Sequence, residues 1–139
     1  MIKPADLSVE FLVNIIPYNQ ALGIRYVAHG DGWASLVLPY HADLVGYSDT
    51  GVLAGGTIFT LMDVSAGMAV MTARGGWVPM ATLDLRLDYL RPSTPEQDVI
   101  SRVECYKLTR RVAFVRGMAY NDDPEHPVAH VSGTFMMSD

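Results

Sequence analysis

Residues 55–73, GGTIFTLMDVSAGMAVMTA, contain no proline and would be apolar on nearly every side if helical. Ile58, Leu61, Met62, Ser65 and Ala69 follow helical spacing. Phe59, Met68, Val70 and Met71 make the opposite side apolar too. A helix that is hydrophobic almost all round must be enclosed by protein. Arg74-Gly75-Gly76 supplies its C-terminal stop. Whatever surrounds this helix has to wrap it.

The rest of the chain reads as the material for that wrap. Residues 24–29 and 33–38 are strand-like, with Asp31-Gly32 as the hairpin signal between them. Residues 80–90, MATLDLRLDYL, alternate with a period of two, which puts Thr82 on one polar face with Asp84, Arg86 and Asp88. Segments 98–108, 111–121 and 128–137 are also β-like, with polar turns such as Asn121-Asp122-Asp123-Pro124 between strands. Residues 7–16 predict a short amphipathic helix, with Ser8 as a possible cap and Pro17 as its stop. Residues 39–52 read as a loop. The expected class is α+β, a curved antiparallel sheet wrapped around one long buried helix, in a single domain spanning 1–139.

Composition narrows the function. A chain of 139 residues suits one domain rather than two, and a net charge of −5 disfavours general nucleic-acid binding. Cys105 is the single cysteine, which excludes an intrachain disulfide and fits a reducing cytoplasm. The N-terminus lacks the apolar core of a signal peptide, and Asp63, Ser65 and several glycines argue against reading the central helix as a membrane span. The four histidines are scattered, so neither a metal nor a cofactor is expected. No GxSxG motif is present, and no lysine follows the glycines as a phosphate loop requires. Five of the ten Lys and Arg residues fall within fifteen positions: Arg102, Lys107, Arg110, Arg111 and Arg116. Arg110 and Arg111 suit phosphate recognition, with Arg91 as a possible helper; a solvated turn explains them equally well.

Two features of the helix bear chemistry. Gly55 and Gly56 expose backbone N–H groups that have no partner inside the helix, with no Cβ to block a ligand. Such groups hold oxyanions. The alternative is a tight start to the helix or close packing on the sheet. Asp63 lies two turns on, roughly 10–12 Å by the helical rise. A carboxylate in an apolar helix is paired, exposed or used. An arginine pair or a backbone contact across a subunit interface is the alternative to a catalytic role.

The order of elements, with Leu22-Gly23-Ile24, the Gly51-to-Asp63 block, YLRP at 89–92, Thr109-Arg110-Arg111-Val112-Ala113 and Ser132-Gly133-Thr134-Phe135, resembles the hotdog-fold thioesterases, specifically their phenylacetate-degradation (PaaI-like) branch. In that family a His-Gly-Gly triplet opens the central helix, and an acid nine positions after the His acts as base or nucleophile. Here the triplet is Ala54-Gly55-Gly56 and the acid is Asp63. The family's Asn or Gln six positions before the His falls on Ser48, and a hydroxyl that some members take from the other subunit falls on Thr82. The resemblance implies hydrolysis of an acyl-CoA thioester in a site between two subunits, hence a homodimer at least and a homotetramer by kinship. The missing His keeps one rival open, a non-catalytic acyl-CoA-binding protein, and weakens a second, an acyl-thioester hydratase or dehydratase, whose chemistry usually wants a His paired with a carboxylate.

Overall fold

The computed structural model describes residues 7–138. Two short helices come first, α1 (Val9–Ile15) and α2 (Pro17–Leu22). Ser8 caps α1, its Oγ accepting the Phe11 N–H at 3.1 Å. Pro17 does not simply end the helical stretch, as the sequence reading has it. It opens α2 at the first helical position, where a missing N–H forfeits no intrahelical bond. The hairpin of β1 (Arg25–Gly30) and β2 (Trp33–Leu38) turns at Gly32, whose φ of 76° is the left-handed conformation glycine accepts freely.

Residues 39–52 are more ordered than the expected loop. A 3₁₀ turn at Ala42–Leu44 leads into a small hairpin, β3 (Val45–Tyr47) and β4 (Val52–Leu53). Strands of three and two residues are too short to show a periodicity. Then come α3 (Gly55–Arg74), β5 (Met80–Tyr89), β6 (Val99–Leu108), β7 (Val112–Tyr120) and β8 (Ala129–Met137). Gly75, at φ 82°, closes α3 by returning its N–H to Met71 and Thr72 carbonyls.

The main sheet runs β1-β2-β6-β7-β8-β5, antiparallel throughout. Gly117 and Gly133 sit within β7 and β8, where a Cβ would collide with the backbone of Arg102 and Asp84 on the neighbouring strands. That close approach lets the sheet bend. α3 lies against its inner face, chiefly over β2 and β6. Leu61, Met62, Ala66, Ala69 and Val70 are fully buried there, with Leu36, Val103 and Val115 of the sheet in the same core. The length and hydropathy of α3 would suit a membrane span, but this apolar side is covered by the sheet.

One polar link crosses the core. Ser65 on α3 shares a hydrogen bond of 2.6 Å with Ser101 on β6, and Ser101 Oγ accepts the Leu36 N–H at 3.0 Å. Both serines are fully buried. The link fixes how α3 is rotated. Two residues along a helix turn about 200°, so with Ser65 facing β6, Asp63 faces away from that strand. The other consequence for function lies at the sheet's edge. β5 pairs with β8 on one side and with no strand on the other among the described residues.

Candidate active site

The start of α3 is held by backbone. Its N-cap residue, Ala54, is extended (φ −60°, ψ 135°) and offers no side-chain cap. Ala54 donates its N–H to Leu44 O at 2.8 Å and accepts the Thr57 N–H at 3.0 Å. The N–H groups of Gly55 and Gly56 make no hydrogen bond among the described residues. Neither glycine has a left-handed φ. A Cβ at Gly56 would meet nothing within 4 Å, whereas one at Gly55 would lie 3.5 Å from the Tyr89 ring. Within the protomer, then, neither backbone conformation nor packing calls for glycine at 56. The packing alternative loses its support there, and an open approach to a bare N–H remains.

Gly56, Phe59, Thr60 and Asp63 stand at i, i+3, i+4 and i+7, so they share one face of α3. Gly56 and Phe59 are exposed, and Thr60 and Asp63 half-buried. This face points away from β2 and β6, and at its Asp63 end it meets the β5 edge of the sheet. Asp63 Oδ1 accepts a hydrogen bond of 2.9 Å from Thr82 Oγ1. No lysine, arginine or histidine forms an ion pair with Asp63 among the described residues.

The contact with Thr82 corrects the strand parity read from sequence. The β5–β8 register shifts between Thr82 and Asp84, a β-bulge at Leu83. The extra residue reverses the alternation. Met80 and Thr82 face α3 before the bulge, Leu85 and Leu87 face inward after it, and Asp84, Arg86 and Asp88 stay outside, with Arg86 bonded to Asp88 at 3.0 Å.

The other expected residues are scattered. Ser48 lies exposed in the β3–β4 turn, which is closed by Thr50 and Gly51 N–H groups on Tyr47 O, and no hydrogen bond joins it to Asp63. The hairpin itself reaches the start of α3, since a Cβ at Gly46 would stand 3.5 Å from Ala54 Cα. Arg91 departs from the phosphate role expected of it. Its guanidinium donates to His126 O, Pro92 O and Asn121 Oδ1 through five bonds of 2.9–3.3 Å. A guanidinium has five N–H donors, so Arg91 is saturated by its own chain. Arg110 and Arg111 occupy the exposed β6–β7 turn. Arg111 O accepts the Met137 N–H at 2.7 Å, and Met137 pairs with Met80. This turn therefore sits at the Met80 end of β5, while Gly55 sits at the Tyr89 end. Ten strand residues separate the ends by about 30 Å.

A residue that the sequence reading left without a role completes the site. Tyr89 donates its hydroxyl to Gly55 O at 2.8 Å. Its only sequence signal is membership of YLRP. Beside it runs an open groove of about 470 Å³, lined by Leu53, Ile58, Leu90 and Val128 among others and reaching Gly55. Taken together, the site offers bare backbone N–H groups at a helix start, a carboxylate bonded by a hydroxyl, and an apolar recess. Among the described residues no three His, Cys, Asp or Glu side chains gather as a metal site requires.

Comparison with known proteins bears on that chemistry. A family model described as "Thioesterase superfamily" matches residues 50–128. The medium/long-chain acyl-CoA thioesterase YigI of Escherichia coli is 27% identical over 141 residues, covering 92% of this chain and 90% of its own. A solved structure from Pseudomonas aeruginosa is 38% identical, with a TM-score of 0.85 over 94% of this chain and 96% of that one. A variant of the phenylacetic acid degradation protein PaaI from Thermus thermophilus is 28% identical, with a TM-score of 0.77 over 88% and 100% of the two chains.

Proposed function

The chain belongs to the thioesterase superfamily, with the hotdog fold and the activity of a thioester hydrolase, and from that premise we propose that it cleaves acyl-CoA at a site shared by two subunits. The observation that carries the reading is the Gly56 N–H, unpartnered and open, on the same helix face as Asp63. Seven residues of helix separate the two by about 10 Å. A donor and a base acting on one carbonyl must each come within about 3 Å of its reacting atoms. One protomer therefore does not bring both to the same carbonyl. Two copies of α3 crossing antiparallel about a two-fold axis bring Gly56 of one beside Asp63 of the other.

The unpaired edge of β5 supports that dimer. Leu83 on this strand is 53% exposed and Phe59 on the open helix face 39%, and a ten-residue edge strand with a free row of backbone N–H and C=O groups is a template for pairing. Antiparallel pairing with a second β5 sets the Met80 end of one strand against the Tyr89 end of the other. It thereby carries Arg110 and Arg111 to the partner's end of the site, where they would meet CoA phosphates at the far end of the pantetheine arm from the thioester. A tetramer of two such dimers rests on kinship alone. A cytoplasmic setting belongs to the same proposal, on the strength of the acidic composition and the single cysteine.

In the reaction, Gly56 N–H polarises the thioester carbonyl. Asp63 takes a proton from water as the water oxygen adds to the carbonyl carbon, or attacks that carbon itself to form an acyl anhydride that water then hydrolyses, freeing the acid and the carboxylate. Thr82 holds the carboxylate. The tetrahedral oxyanion collapses, the C–S bond breaks, and CoA leaves as thiolate and is protonated. A screen of aromatic, short-, medium- and long-chain acyl-CoAs for free thiol release tests this. The relative named a medium/long-chain acyl-CoA thioesterase makes medium and long chains the first substrates to try. Turnover of at least one class is expected, and none across all four refutes the proposal.

A further inference from the structure

The bond from Tyr89 to Gly55 has a consequence for the neighbouring residue. The carbonyl of Gly55 and the N–H of Gly56 are the two ends of one planar peptide group. A hydrogen bond accepted at the oxygen draws electron density along the amide and makes its N–H a stronger donor. It also fixes the tilt of the plane, and with it the direction of the N–H. Two consecutive glycines leave that tilt unusually free.

Tyr89 approaches from a braced platform. Arg91 pins the following turn with all five of its donors, and Leu90 N–H is bonded to Val128 O at 2.8 Å. The ring lies against Gly55, 3.5 Å from where a Cβ would stand. Given the role of Gly56 set out above, on which this rests, we propose that Tyr89 is a positioning residue: its hydroxyl, through the Gly55–Gly56 peptide, aims and strengthens the oxyanion donor. Burial pushes the Tyr89 hydroxyl above its ordinary pKa, so it carries its proton throughout the neutral range. It is then always the donor in this bond.

The test is Tyr89→Phe, which removes the hydroxyl and keeps the ring on Gly55. Oxyanion contacts strengthen only as the thioester becomes tetrahedral, so kcat should fall about 3- to 10-fold with KM within twofold. The Gly56 amide resonance should move more than those of its neighbours in an ¹⁵N–¹H spectrum of the unliganded protein. The fall in kcat should vanish when Tyr89→Phe is made in a Gly56→Ala background. An active wild type whose Tyr89→Phe variant keeps both kcat and the Gly56 amide shift overturns this proposal and leaves the proposed function standing. So does an equal loss of kcat in both backgrounds, which would mark Tyr89 as merely structural. A wild type inactive on every acyl-CoA takes the proposed function down first and this proposal with it.

Discussion

Gly56→Ala separates catalysis from folding because the two should move in opposite directions. The added methyl would meet nothing within 4 Å, and the backbone at 56 is not left-handed. The substitution is therefore unstrained in the protomer. Replacing glycine by alanine at a compatible helical position stabilises by about 0.4–1 kcal/mol, mainly by restricting the unfolded chain. For a chain of this size the melting temperature should rise by roughly 1–4 °C. The same methyl stands beside the proposed oxyanion donor and holds the thioester off. Losing one such donor costs about 10²–10³ in kcat, or roughly 2.7–4 kcal/mol of barrier. Thermal melts and thiol-release kinetics on the same preparation measure both effects. A variant that melts higher and keeps kcat/KM within threefold of wild type would refute the assignment of Gly56. A variant that melts several degrees lower would show that the open space at Gly56 is filled by a neighbouring subunit and would refute the steric argument.

Two further substitutions probe the parts around it. Thr82→Val keeps the shape and removes the 2.9 Å bond to Asp63; kcat should fall by roughly 10-fold with the melting temperature little changed, and an unaltered kcat would leave Thr82 without a part in the reaction. Arg110→Ala with Arg111→Ala should raise KM for acyl-CoA at near-constant kcat, an effect that shrinks as salt rises and is small for an acyl-pantetheine lacking the nucleotide. Equal losses on both substrates would show that these arginines serve the fold or the interface.

How legible the chain is depends on the range of the forces involved. The central helix could be read because Gly55–Arg74 is long, continuous and closed by Gly75. The four late strands matched their expected bounds to within one or two residues, since each runs nine or ten residues between clear turns. The β3–β4 hairpin escaped because strands that short carry no pattern. Thr82 was assigned to the wrong face because a bulge at Leu83 is set by pairing with β8, and the alternation within β5 itself gives no sign of it. Arg91 looked like a phosphate ligand because sequence shows its charge and hides the three acceptors that surround it. Tyr89 was missed for the same reason: its meaning lies in Gly55, 34 positions away in the chain. Gly55, Gly56 and Asp63 were legible as candidates. Structure added that Gly56 has no packing duty within the protomer and that Asp63 has Thr82 as its companion.

The central claim is that Asp63 is the base or nucleophile of thioester hydrolysis, and Asp63→Asn tests it most directly. The substitution keeps the size of the side chain and its capacity to accept from Thr82, and removes its ability to take a proton or attack. Removing a general base costs roughly 10²–10⁴-fold, and removing a nucleophile more. With kcat/KM for the best acyl-CoA and the oligomeric state measured together, the account predicts a loss of at least about 100-fold in a protein that elutes and melts as wild type does. A folded variant with kcat/KM within threefold of wild type would contradict it and leave Asp63 a structural carboxylate.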